Sequence, residues 1–131
     1  MSDAVLDASA FLCLLWDEPG AEAVAAVLPG ALMSTVNVAE VVAKLSERGM
    51  SGAAALATID GLGVDTVDFD RVQAAESGAL RVMTRAKGLS LGDRACLTLS
   101  RQRNCPAVTA DAAWADVAGF DVKLIRRRAP R

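Results

Sequence analysis

Short apolar runs alternate with helix-period segments along the whole chain, and this alternation constrains the fold more than any other feature. Residues 4–6, 31–34, 64–69, 106–109 and 122–125 read as strands. Residues 10–16, 21–28, 37–48, 51–61, 70–87, 90–104 and 111–117 read as helices, punctuated by Pro19-Gly20, Pro29-Gly30 and Gly49. Such alternation demands a parallel sheet with helices on both faces. The expectation is a three-layer α/β/α domain with a short central parallel sheet of four to five strands. The run 64–69 is polar enough to lie near a sheet edge. Residues 70–87 form the longest helical stretch, with Gly78 as a weak point inside it, and Asp7-Ala8-Ser9 reads as the turn that closes the first strand.

That architecture gives four acidic residues a common address. Asp7 and Asp111 each follow an apolar strand, and Glu40 and Asp93 each fall in what reads as a first helical turn. In a parallel sheet, strand C-termini and the following helix N-termini share the edge where ligands bind. Carboxylates gathered there repel one another by about 4 kcal/mol at ~4 Å and an effective dielectric of 20, so a cluster needs a cation or protons. The chain contains no histidine and no tyrosine, which excludes histidine triads and histidine metal sites. An all-carboxylate set points to Mg²⁺ or Mn²⁺, and so to phosphate chemistry.

Each acid also has a purely structural reading. Asp7 and Asp111 are good N-caps, worth about 1 kcal/mol. Asn37-x-x-Glu40 and Ser90-x-x-Asp93 both match the capping box, and Glu40 with Lys44 makes an i,i+4 pair. Asp70-x-x-Gln73 matches the box as well, and with Asp68 it is read as structural because it follows the polar strand. Caps have no reason to converge, whereas ligands do; both readings stay open at this point.

Composition removes several alternatives. A length of 131 residues fits one domain, with residues 126–131 as a basic C-terminal tail. Three cysteines without C-x-x-C spacing make zinc and a disulfide framework poor expectations, and a reducing cytoplasm fits best. No apolar stretch reaches the roughly 18 residues of a membrane span, and the first residues lack the positive region of a secretory signal. A net charge of −2 argues against a protein that coats nucleic acid but leaves room for local arginines. A 53% hydrophobic content is high for a small monomer and suggests a surface covered by a partner.

The local words around the acids carry a resemblance. Val-Leu-Asp-Ala-Ser-Ala at 5–10, Asn-Val-Ala-Glu-Val at 37–41, Ser-Leu-Gly-Asp-Arg-Ala-Cys-Leu at 90–97 and Val-Thr-Ala-Asp at 108–111 stand in an order that resembles the PIN-domain ribonucleases. Within them, the pattern is similar to the VapC-like toxins of type II toxin–antitoxin pairs, over nearly the whole chain. The resemblance implies a single PIN-like domain acting as a metal-dependent endoribonuclease. Hydrolysis of RNA by a metal-activated water would leave a 5′-phosphate and a 3′-hydroxyl. Asp7, Glu40, Asp93 and Asp111 become the catalytic, metal-holding acids, with Mg²⁺ as cofactor and Mn²⁺ as substitute. Ser9 supplies a hydroxyl near the metal, Thr109 a hydrogen bond near the acids, and Asp116 is a candidate fifth acid. The implied partners are an RNA substrate, a cognate antitoxin lying between the early helices, and a second copy in a homodimer, with no membrane.

Basic residues complete the picture. Arg94 directly follows Asp93 and is placed to hold a phosphate beside the metal, with a plain solvated helix residue as the other reading. Arg81, Arg85 and Lys87 cluster at one helix end, where cations also suit the macrodipole. Two other classes remain: a Mg-binding receiver-like signalling domain, and a catalytically inactive PIN-fold binding module. The first would want a pair of acids after the first strand, where Asp7 stands alone.

Overall fold

In the computed structural model, which describes residues 4–114 and 116–125, the apolar runs fall where their hydrophobicity puts them. Strands β1 (Ala4–Leu6), β2 (Ala31–Ser34), β3 (Asp65–Val67), β4 (Ala107–Thr109) and β5 (Val122–Leu124) form one five-stranded sheet in the order β3-β2-β1-β4-β5. Every pairing is parallel, with Val5 level with Leu32 on one side and Ala107 on the other. This is not the 2-1-3-4-5 order of receiver-type sheets. Central strands buried on both faces need unbroken apolar runs, and every residue of β1 and β2 is buried. Edge strands do not, and the polar β3 and β5 are largely exposed.

Seven helices flank the sheet among the described residues: α1 (Ala8–Leu15), α2 (Ala21–Val27), α3 (Thr35–Glu47), α4 (Gly52–Gly61), α5 (Arg71–Ala79), α6 (Arg81–Thr84) and α7 (Leu91–Arg103). The two-residue period of β1 divides the core. Ala4 and Leu6 pack with Phe11, Met33, Val41, Leu45 and Ile59 under α1 to α4, while Val5 packs with Leu32, Leu80, Leu97, Leu99 and Trp114 under α7. Trp114 is therefore core, as is the inner part of the leucine-rich α1.

Four local expectations need correction. Asp7-Ala8-Ser9 is not a separate turn: the backbone N–H of Asp7 still bonds to Val108 in the ladder, and its side chain already caps α1. Helix α3 starts two residues before Asn37, because the hydroxyl of Ser34 accepts the Val36 N–H; Asn37 and Glu40 thus form no capping box, and Glu40 lies in the second turn. The stretch 70–87 is three pieces rather than one helix: α5, α6 and a 3-10 turn at Arg85–Lys87. Gly78 weakens it, and the buried Thr84 hydroxyl donates to the Leu80 carbonyl beside the regular Thr84 N–H bond, a back-bonding that bends helices. Residues 111–117 hold only a 3-10 turn at Ala112–Trp114. The expected basic tail, residues 126–131, lies outside the described residues.

Candidate active site

Two central strands, β1 and β4, end side by side, and the chain leaves each of them into an acid. Asp7 follows β1 and Asp111 stands two residues past β4. Helix α3 leaves β2, the other neighbour of β1, and brings Glu40 on its second turn. Helix α7 packs against α3 and presents Asp93 on its first turn. The four carboxylates, more than a hundred residues apart at their extremes, line one cavity of about 380 Å³ at the carboxyl edge of the sheet, with Ala8, Ser9, Leu12, Ala43 and Lys44. A second hollow of about 320 Å³ shares Ser9, Leu12 and Asp111 with it and adds Trp16, Glu18 and Ala110.

Burial grades the acids from floor to mouth. Asp7 is 4% exposed, Glu40 and Asp93 are half-buried, and Asp111 is exposed. The Asp7 carboxylate is held by three donors: Oδ1 accepts from the Ser9 hydroxyl at 2.7 Å and the Ala10 N–H at 2.8 Å, and Oδ2 from the Thr109 hydroxyl at 2.6 Å. Those hydroxyls also accept. Ser9 takes the Ala110 N–H and Thr109 the Asp111 N–H, each at 3.0 Å, so the segment carrying Asp111 is stitched to the start of α1. Asp93 completes the expected capping box with Ser90. Asp111 accepts the Ala113 N–H, and Glu40 Oε1 accepts from the Asn37 amide at 2.8 Å.

Burial, with a smaller addition from neighbouring charge, shows in the titration of these groups. Burial pushes the Asp7 carboxyl up to about 6, against the pull of its three hydrogen bonds, and the charge of Asp93 adds to the rise. Burial likewise raises Glu40 and Asp93; Asp93 also raises Glu40, and Asp111 raises Asp93. Beneath them, Cys96 is fully buried with its thiol aimed at the Val5 carbonyl, and desolvation followed by the three nearby carboxylates pushes its titration far up, so it is an inert wall.

The donor chemistry fits a hard divalent cation. Only carboxylate and hydroxyl oxygens are offered, and a buried carboxylate kept protonated up to about pH 6 is one that a cation would relieve. Glu40 and Asp111 each accept a single hydrogen bond, on one carboxylate oxygen, among the described residues. No group of three or more of these side chains converges on one point in ligand geometry among the described residues. The acids surround a space rather than a point; Asp7, Asp93 and Asp111 accept backbone N–H groups, and Glu40 accepts the Asn37 amide.

The remaining sequence-derived candidates divide. Ser9 and Thr109 sit at the floor. Arg94 does not line the cavity; its guanidinium donates to the carbonyls of Ser90 and Ser77, so it braces α7 against α5. Asp116 does not line it either: it pairs with Lys87 at 2.8 Å on the surface, which holds its carboxyl below the usual range. Sequence reasoning missed two residues. Lys44, read as a salt-bridge partner of Glu40, lines the cavity and, among the described residues, pairs with Glu47 at 4.0 Å instead. Gly92 is the other: a Cβ there would run into the Glu40 carboxylate. A glycine in a first helical turn, where alanine is about 1 kcal/mol better, was the available signal.

Comparison with known proteins agrees with the fold. The family model described as PIN domain matches residues 4–120. Among solved structures, a toxin–antitoxin complex from Klebsiella pneumoniae has a chain 19% identical, with a TM-score of 0.74, over 96% of this chain and 100% of that one. DNA-bound VapBC from Salmonella typhimurium gives 16% identity and 0.71, over 94% and 98%. FitAcB from Neisseria gonorrhoeae gives 20% and 0.65, over 91% and 95%. At these identities the likeness is one of fold. No curated protein matches the chain.

Proposed function

The chain belongs to the PIN-domain family of nucleases, and on that premise we propose that it is a metal-dependent endoribonuclease and the toxin of a toxin–antitoxin pair. The observation that carries this reading is the meeting of Asp7, Glu40, Asp93 and Asp111, from four separate segments, around one cavity. These four acids would hold Mg²⁺, or Mn²⁺ in its place, which would supply charge neutralisation and a more acidic water for attack on phosphorus.

The chain's own residues do the rest. Ser9, Thr109 and the Ala10 N–H fix the Asp7 carboxylate so that it cannot swing, and the same hydroxyls fix the backbone ahead of Asp111. Such outer hydrogen bonds typically govern metal affinity by 10- to 100-fold. Ala8, Leu12 and Ala43 keep one wall of the cavity apolar. Lys44 stands at its side as an exposed cation suited to the flanking phosphates of a polyanion. The neighbouring hollow beside Trp16 continues the path for an extended strand. Arg94 and Asp116 serve as braces in this reading rather than as contacts to substrate.

The same reading includes an antitoxin and a second copy of the chain as partners and a cytoplasmic location. It is supported by the toxin–antitoxin assemblies among the structural neighbours. Large apolar side chains left in water support it too: Val82 is 76% exposed, Val72 60% and Met83 53%. Among the described residues, no helix is long and apolar enough to cross a membrane.

The test is an RNA cleavage assay with Mg²⁺ or Mn²⁺ on the wild type, Asp7→Asn and Asp93→Asn. Cleavage is expected only in the wild type and only without EDTA. Full activity in both variants, or in EDTA, refutes the reading.

A further inference from the structure

Glu40 reaches the cavity from the second turn of α3, yet its carboxylate is seated on a different helix. The amide of Asn37 donates to Glu40 Oε1 at 2.8 Å and to the carbonyl of Gly92 at 3.1 Å. Both partners are pure acceptors, so the amide can present only its NH₂ to them. That choice leaves Asn37 Oδ1 buried without a hydrogen-bond partner among the described residues, in a residue only 1% exposed. Leaving such an acceptor unsatisfied is unfavourable in general, and groups that persist in this way call for a reason. The second half of the seat is a missing side chain. Gly92 directly precedes Asp93, and a Cβ on it would meet both Glu40 carboxylate oxygens.

We propose that Asn37 and Gly92 are positioning residues: together they form a latch between α3 and α7 that sets where the Glu40 carboxylate stands relative to Asp93. The inference rests on the metal-centred reading of the acids above and adds residues that do not line the cavity. Glu40 is the one acid of the four whose hydrogen-bond partner is neither a backbone N–H nor a hydroxyl. Without the latch its flexible side chain has many rotamers, and no cap holds it. With the latch, the amide fixes one oxygen and the bare backbone at Gly92 leaves room for the carboxylate to lie flat against α7. The atoms that an added methyl group would displace are the far end of a glutamate side chain rather than backbone. Gly92→Ala therefore moves the carboxylate while leaving the packing of the two helices intact.

The experiment is Mn²⁺ affinity of the full chain, read from the electron paramagnetic resonance signal of the free ion, beside the melting temperature of the metal-free protein. Gly92→Ala and Asn37→Ala are each expected to weaken Mn²⁺ binding about tenfold or more. Gly92→Ala is expected to melt no lower than the wild type, which separates the effect from misfolding should Asn37→Ala prove unstable. Both losses are expected to vanish in a Glu40→Gln background, since the latch acts through Glu40 alone. Wild-type affinity in Gly92→Ala, or equal losses with and without the Glu40 carboxylate, overturns the latch while leaving the metal centre standing. Failure of the wild type to bind Mn²⁺ overturns the metal-centred reading, and the latch with it.

Discussion

Asp7 and Asp70 begin helices in the same way, and only one of them belongs to a site. Each accepts the N–H of the third residue on at 2.8 Å, Asp7 from Ala10 and Asp70 from Gln73. Each follows a strand. The difference is the strand: β1 lies at the centre of the sheet and β3 at its edge. A central strand delivers its acid among the ends of its neighbours, where Thr109 from β4, Glu40 from α3 and Asp93 from α7 are waiting. An edge strand delivers its acid into water, and Asp70 is exposed. Position in the sheet, rather than capping chemistry, decides which carboxylate is available to a ligand.

The sharpest way to break this comparison is to alter the two caps in parallel. Asp7→Asn keeps an acceptor for the Ala10 N–H but removes the charge; cleavage of RNA is expected to fall at least 100-fold. Asp70→Ala is expected to leave cleavage unchanged and to lower stability by about 1 kcal/mol, measured by denaturant unfolding. Equal losses of activity in the two variants would erase the distinction.

The pH dependence of stability without metal sharpens it. Burial raises the Asp7 carboxyl from 3.8 to about 6. The stability tied to it is therefore present below 3.8 and is lost as pH rises through about 6. At 1.36 kcal/mol per pH unit the loss is about 3 kcal/mol. The melting temperature of the metal-free wild type is expected to drop over this window, and Asp7→Asn is expected to remove the slope and melt higher at neutral pH. An Asp70→Asn variant with the same altered slope would contradict the contrast. Saturating Mg²⁺, at about 100 times its dissociation constant, is expected to restore close to 2.7 kcal/mol to the wild type and nothing to Asp7→Asn, checked by thermal melts. The smallest effect concerns Asp116. Its replacement by Asn is expected to leave cleavage and Mn²⁺ affinity at wild-type values, because Asp116 is occupied by Lys87 away from the cavity.

The sheet was legible because central parallel strands must be apolar on both faces, so 4–6, 31–34 and 106–109 stand out wherever they occur. Helix starts were legible when the cap was the obvious polar residue, as at Ser51, Asp70 and Ser90. Helix α3 was misread at its start because Asn37-x-x-Glu40 mimics a capping box, while the true cap, Ser34, closes a buried strand. The breakup of 70–87 was signalled only in part, by Gly78, because the Thr84 hydroxyl bond to the Leu80 carbonyl is not announced by its sequence context. Convergence of the acids could be inferred from strand–helix order alone. What could not be read locally was which capping acids lie at the centre: Asp7 and Asp70 carry the same cap signal, and only the strand order separates them. Lys44 and Gly92 escaped for a related reason, since each takes its meaning from an element distant in sequence.

The most direct measurement is anomalous diffraction from crystals grown or soaked with Mn²⁺. The expected result is an anomalous peak inside the cavity, bonded to oxygens of Asp7 and at least one of Glu40, Asp93 and Asp111. Crystals saturated with Mn²⁺ that show no peak there, with the four carboxylates still bound only to their present hydrogen-bond donors, would contradict the central claim.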